Sequence, residues 1–125
     1  MIIGGKMEIK KRLQAIIEGT GETGETLITA SKDIVKTGAA SVGDLVKAVI
    51  EIAKDTGVDA EKLIKDVLVG AVEATKETAG STAKAVGDVT VKAEESIGDV
   101  AEEGGEAIRR AVAKVKDILK EPFQK

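Results

Sequence analysis

The side chains of this sequence that could carry acid–base or metal chemistry are almost all carboxylates. The 125 residues include 22 Asp and Glu but no His and no Cys, so the commonest general bases, nucleophiles and transition-metal ligands are missing. The adjacent carboxylates at Glu94 and Glu95, and at Glu102 and Glu103, have the chemistry to bind a hard cation. Neighbouring acids on a helix are usually a solvated face, however, so we assign no catalytic, cofactor or metal site.

A glycine-rich segment is the other candidate for ligand chemistry. Gly19, Gly21 and Gly24 fall within six residues, but no Gly-Lys-Ser/Thr follows them and no strand precedes them, as a phosphate-binding loop requires. The sequence also lacks aromatic side chains that stack on bases and a one-sided basic stripe. We therefore expect no enzymatic activity, no small-molecule substrate and no nucleic acid as a partner.

The acidic residues are instead spaced for a structural purpose. An Asp or Glu recurs every eleven residues along most of the chain. Eleven residues make three helical turns at about 3.67 residues per turn, so one side of a helix stays aligned over the whole run. We call these positions the acidic column: Asp33, Asp44, Asp55, Asp66, Glu77, Asp88 and Asp99. The pattern predicts long amphipathic helices, with the acidic column outside their contact face.

Apolar side chains keep the same eleven-residue phase. They fan across about 165° of the helix, an arc wide enough to touch two neighbouring helices or to lie on a lipid surface. The predicted assembly interface on this arc consists of Ile34, Val42, Leu45, Val49, Ile64, Val67, Val86, Val89, Ile97, Val100, Ile108 and Val115. Gly43, Gly87 and Gly98 lie at its edge and are predicted to let a neighbouring helix approach closely.

Four lysines occupy the same edge of the arc as those glycines. These border lysines, Lys32, Lys54, Lys65 and Lys76, can lay their stems on apolar surface and keep their charges in water. The net charge of −3 is small beside 33% charged residues, which indicates a mixed surface without a strong pull on polyanions. The single aromatic residue, Phe123, cannot build a thick core, so aliphatic seams between helices are expected.

Glycines and caps divide the chain into three regions. Residues 1–24 are predicted to hold a tail, a short helix over residues 6–18 and the glycine-rich break. Residues 25–121 are the eleven-residue repeat region, and residues 122–125 are a tail that begins at a proline. The short helix is predicted to place Ile9, Leu13, Ile16 and Ile17 on one face.

The segment 56–60 supports two interpretations. Gly57 is a good helix stop and Asp59 a good N-cap, which favours a hairpin turn. The eleven-residue phase nevertheless crosses this segment unbroken from Asp55 to Asp66, which favours a kink or one continuous helix. The sequence leaves both alternatives open.

The stretch Val72–Lys84, rich in Thr, Ala, Lys, Glu and Gly, resembles the repeats of late embryogenesis abundant proteins, of synuclein and of phasin-like granule proteins. This resemblance implies a helix that forms on a lipid or granule surface, or that protects during drying. The eleven-residue phase also resembles that of hendecad coiled coils, over nearly ninety residues. The chain has more Ile, Val and Leu than the late embryogenesis abundant, synuclein and phasin-like repeats, as in residues 45–52 and 63–69. This favours permanent packing over a chain disordered in water.

Together these features predict an all-α, non-enzymatic structural protein. Its amphipathic helices are expected to self-associate into homo-oligomers, as a right-handed or nearly straight coiled coil, a bundle or a helical ring. The alternative is a protein that binds a membrane or granule surface, including an oligomeric helical barrel in a bilayer. The lack of Trp and Tyr at the border of the arc favours self-assembly over lipid.

The sequence predicts a cytoplasmic protein, with membrane association left open. No stretch approaches the roughly eighteen apolar residues of a spanning helix. The first residues also lack an apolar signal region of the needed length.

Overall fold

A computed structural model describes residues 5–20 and 24–120 of the protein, with the side chains of residues 9–19 and 25–119, as a bundle of six α-helices. No strand occurs in these ranges, so the predicted all-α class is confirmed. The helices are α1 Gly5–Thr20, α2 Gly24–Thr37, α3 Val42–Thr56, α4 Ala60–Ala79, α5 Thr82–Glu95 and α6 Glu102–Lys120, with a 3-10 helix at Ser96–Asp99. Residues 1–4 and 21–23, and the predicted C-terminal tail, lie outside the described residues.

Helix α1 covers the short helix predicted over residues 6–18. Leu13 and Ile17 are buried, and Ile9 and Ile16 are half-buried against the same core. The predicted apolar face is therefore the face that α1 presents to the bundle, where it packs against α2 and α3.

The segment 56–60 is a turn and not a continuous helix. Helix α3 ends at Thr56, and Gly57 takes a left-handed φ of 82°, which glycine adopts without steric cost. The Asp59 carboxylate accepts a hydrogen bond from the Glu61 N–H at 3.0 Å and begins α4. Since α3 and α4 pack against each other, this turn joins the two arms of a helical hairpin.

A second glycine turn separates α4 from α5. Gly80 has a φ of 90°, and the Ser81 hydroxyl accepts a hydrogen bond from the Lys84 N–H at 3.2 Å. Gly38 ends α2 in the same left-handed conformation. The repeat region is therefore divided, and its longest helix is α4 with 20 residues.

Helix α4 is the centre of the bundle and packs against α2, α3, α5 and α6. Its buried side chains cover about two-thirds of its circumference, a wider arc than the repeat predicts. Among the side chains that the structure describes, the buried hydrophobic residues are Leu, Ile, Val and Ala. This aliphatic interior positions every feature of the candidate site.

Candidate functional site

The predicted assembly interface is brought together inside one chain. Nine of its members, Ile34, Val42, Leu45, Val49, Ile64, Val67, Val89, Ile108 and Val115, are buried in the core, and Val86, Ile97 and Val100 are half-buried against it. The apolar arcs of different helices therefore satisfy one another within the chain. A role for these twelve residues between chains stays a prediction.

The surface of the closed bundle offers little apolar area. Val91 and Ile118, at 52% and 46% exposure, are the large exposed hydrophobic residues among the side chains that the structure describes. None of the described helices has the length and the hydropathy needed to cross a membrane. In the closed bundle the apolar face that was predicted to contact other chains or lipid is therefore mostly buried.

Helices α2 and α4 make the closest contact in the bundle. A Cβ atom added to Gly70 of α4 would meet the backbone oxygen of Ile28, and it would lie 2.9 Å from Cβ of Ser31. Only glycine fits here, because the backbones themselves are in contact. The Lys36 ammonium reaches the Glu77 carboxylate at 3.4 Å further along both helices, so α2 and α4 run parallel.

The close helix contacts predicted at Gly43, Gly87 and Gly98 do not occur within the described chain, and contacts between chains at these glycines stay a prediction. Nothing lies within 4 Å of a Cβ atom at Gly87 or Gly98, and the nearest atom at Gly43 is 3.9 Å away. Gly87 and Gly98 are exposed, so no neighbouring helix reaches them. The signal for Gly70 was its position in the uninterrupted apolar run 67–72, because a helix that is apolar over most of its circumference is buried and approached from several sides.

Asp66 departs from the rest of the acidic column. Its side chain is 4% exposed, whereas the other six members are exposed or half-exposed. The expectation that the whole column lies outside the contact face is therefore wrong at Asp66, since α4 has neighbours where other helices meet water. Asp66 Oδ2 and the Oγ of the buried Ser31 have no hydrogen-bond partner among the described residues.

Burial raises the pKa of the Asp66 carboxyl above its usual 3.8, and the positive charges of Lys65 and Lys62 partly oppose this. A raised pKa in the folded state means that ionised Asp66 destabilises the closed bundle. The destabilisation is fully present above the folded pKa, shrinks as the pH falls through that pKa, and is absent below 3.8, where both states are protonated.

We expect Asp66→Asn to stabilise the closed bundle by about 1–2 kcal/mol near pH 7, because the substitution removes an unpaired buried charge and keeps the shape. The difference from wild type should shrink as the pH approaches about 4. Urea unfolding followed by circular dichroism measures both quantities. Asp88→Asn, at an exposed member of the acidic column, is the matched control and should change little at either pH. If the difference in unfolding free energy between Asp66→Asn and wild type did not change with pH, the Asp66 charge would not be its cause.

Three members of the acidic column form ion pairs with lysines of other helices. The N–O distances are 3.8 Å for Lys10–Asp55, 3.4 Å for Lys36–Glu77 and 3.7 Å for Lys47–Asp99. All six side chains are about one-third exposed or more, so solvent screens the charges and each pair stabilises the bundle only weakly. Breaking these three ion pairs would therefore cost little electrostatic free energy when the helices separate.

A groove between α1 and α3 is lined by Ile9, Ala40 and Ala48, and the Lys10–Glu51 ion pair, at 2.9 Å, lies beside it. Within the described ranges no three acidic side chains converge as a metal site would require. No protein-family model, curated protein or solved structure matches the chain.

Proposed function

We propose that this protein is a non-enzymatic amphipathic-helix protein that covers a lipid surface after its bundle opens. The closed bundle is its form in water. One observation carries the proposal: the aliphatic face of the repeats is buried within a single chain. Only Val91 and Ile118 remain as large exposed hydrophobic residues in the described part. Any binding that uses this face requires the helices to separate.

Features of the closed bundle favour its opening. The buried Asp66 carboxylate and Ser31 hydroxyl have unpartnered atoms, and water would solvate both once α4 is released. The three ion pairs between the acidic column and lysines of other helices are exposed and therefore weak. Left-handed glycines, Gly38, Gly57 and Gly80, follow α2, α3 and α4, and glycine changes backbone conformation without a side-chain clash. The closed state is therefore one that a lipid surface can displace.

The chemistry of the opened face favours lipid as its partner. The face consists of Val, Ile, Leu and Ala, which are miscible with acyl chains. The border lysines lie at the edge of this face, where their stems reach into the apolar layer and their ammonium groups meet headgroup phosphates. They take the interfacial position that aromatic residues hold in other surface helices. The resemblance to synuclein and phasin-like repeats agrees with this partner.

A chemical lock on the closed bundle tests the proposal. The chain has no cysteine, so Lys47→Cys with Asp99→Cys places two unique thiols where an ion pair of 3.7 Å now joins α3 to the 3-10 helix. A short bis-maleimide cross-link between them holds 52 residues of chain closed. The matched control is the same double variant with each thiol capped by N-ethylmaleimide.

We expect the capped variant to float with vesicles of phosphatidylcholine and phosphatidylglycerol. The cross-linked variant should bind at least about tenfold more weakly, because the binding-competent state is excluded. Equal binding of the two forms, or no binding of the capped form, would contradict the proposal.

The second candidate is self-assembly of opened chains into homo-oligomers through the twelve residues of the predicted interface. The unbroken eleven-residue phase favours it, since that phase keeps one face aligned in a right-handed or nearly straight coiled coil. Light scattering without lipid separates the candidates. A closed monomer has a mass of 12.9 kDa, and an oligomer that the cross-link abolishes would support self-assembly instead.

A further inference from the structure

We propose that residues 42–95 form one continuous helix on the lipid surface, in which the turns at 57–59 and 80–81 become helical and α3, α4 and α5 share one apolar face. This inference rests on the proposed function and specifies the shape of the bound state. In this view the eleven-residue repeat is a feature of the lipid-bound helix, and the glycine turns are a feature of the closed bundle.

The phase of the repeat crosses both turns without a shift. Asp44 lies in α3, Asp55 near its end, Asp66 in α4 and Asp88 in α5, each an exact multiple of eleven residues from the others. A turn that reverses the chain imposes no relation between the helical phases on its two sides. A continuous helix does impose one, because eleven residues complete three turns. The closed bundle alone therefore gives no reason for the register.

The repeat is also not the building unit of the closed bundle. The related segments Ser41–Leu45, Ala85–Val89 and Ser96–Val100 have the same place in the repeat. The first begins α3 with Ser41 as its N-cap, the second lies within α5, and the third forms the 3-10 helix and its cap. A repeated helix–turn unit would give one local structure three times. A continuous helix over residues 42–95 would give the first two segments, from Val42 and from Ala85 onward, the same helical structure and orientation, while the third lies beyond its end.

Asp66 supplies independent evidence. In the closed bundle it is the buried member of the acidic column, with Oδ2 unpartnered. In a continuous helix Asp44, Asp55, Asp66 and Asp88 all lie on one line, about 150° from the centre of the apolar arc and in water. Asp66 is thus buried without a partner for Oδ2 in the closed bundle, whereas in the continuous helix water solvates its carboxylate. Gly70 likewise leaves its contact with α2 and lies outside the arc, where no neighbour is needed.

The distance between spin labels at Asp55→Cys and Asp88→Cys tests the inference. Both side chains are exposed, both belong to the acidic column, and the pair spans Gly57 and Gly80. In a continuous helix the 33 intervening steps span about 50 Å at 1.5 Å per residue. In the closed bundle the two sites lie within about 30 Å, the length of the central helix α4. The matched control is Lys62→Cys with Glu73→Cys, which lies wholly within α4 and should give about 16 Å in both states.

Electron–electron double resonance in water, and on vesicles of phosphatidylcholine with phosphatidylglycerol, gives the two distances. We expect a change from about 30 Å or less to about 50 Å on vesicles, with the control pair unchanged. If the labelled chain binds vesicles but the 55–88 distance stays below about 40 Å, the turns persist and the continuous helix is refuted while surface binding stands. If the chain does not bind, the proposed function itself fails.

Discussion

Replacing Gly70 with alanine is expected to destabilise the closed bundle by about 3 kcal/mol, at the upper end of the usual range for overpacking. The added methyl group meets the backbone oxygen of Ile28 and lies 3.0 Å from the Lys32 nitrogen, so no side-chain rotation relieves the clash. Helices α2 and α4 must move apart, and the contacts on both sides of the crossing weaken. Urea unfolding followed by circular dichroism at 222 nm measures the loss.

Gly87→Ala is the matched control for this substitution. Gly87 also lies inside a helix, but nothing lies within 4 Å of its missing Cβ atom. Alanine there should stabilise the helix by up to about 1 kcal/mol, the difference in helix propensity. Similar changes at the two glycines would mean that α2 and α4 are not in backbone contact. If the proposed function is correct, Gly70→Ala should also increase vesicle binding, because the clash exists only in the closed state.

Val89→Asp is expected to unfold the bundle or destabilise it by about 3–5 kcal/mol. Val89 is 1% exposed and belongs to the core of α5, so a carboxylate there would be buried without a partner. A loss of this size is a large part of the roughly 5–15 kcal/mol that stabilises a typical domain. The thermal unfolding midpoint and the ellipticity at 25 °C report the effect.

The neighbouring substitution Asp88→Asn tests the orientation of α5. Asp88 is exposed, and its replacement should change the free energy of unfolding by less than about 0.5 kcal/mol. Equal effects at positions 88 and 89 would show that the wrong face of α5 has been placed inside. Val, Asp and Asn have similar helix propensities, so differences in local propensity do not explain a contrast between the two variants.

Local signals in the sequence predicted the local structure well. Gly57 and Asp59 favoured a turn at 57–59, one of the two alternatives that the sequence left open, because glycine often ends a helix and aspartate often begins one. The apolar face of α1 followed from the spacing of Leu13 and Ile17. Of the twelve residues of the predicted interface, nine are buried and three are half-buried within the chain, and their role between chains stays a prediction.

The tertiary arrangement could not be predicted in the same way. The burial of Asp66 and the backbone contact at Gly70 both follow from the central place of α4, which is a property of six packed helices and not of any repeat. No described helix covers Gly87 or Gly98, so the close contacts predicted there stay a prediction for contacts between chains. The repeat phase describes one helix and carries no information about which helices surround it.

The parallel pairing of α2 with α4 also has a consequence for folding kinetics. Ser31 and Gly70 meet across 39 residues of chain, because α3 must run back before α4 can lie beside α2. The α3–α4 hairpin closes over a turn of only three residues and can form early. Contacts at the α2–α4 crossing are then absent from the transition state, so Gly70→Ala should speed unfolding and leave refolding almost unchanged. Stopped-flow measurements of both rates would then indicate that the α2–α4 contact at Gly70 forms after the folding transition state and breaks before it during unfolding.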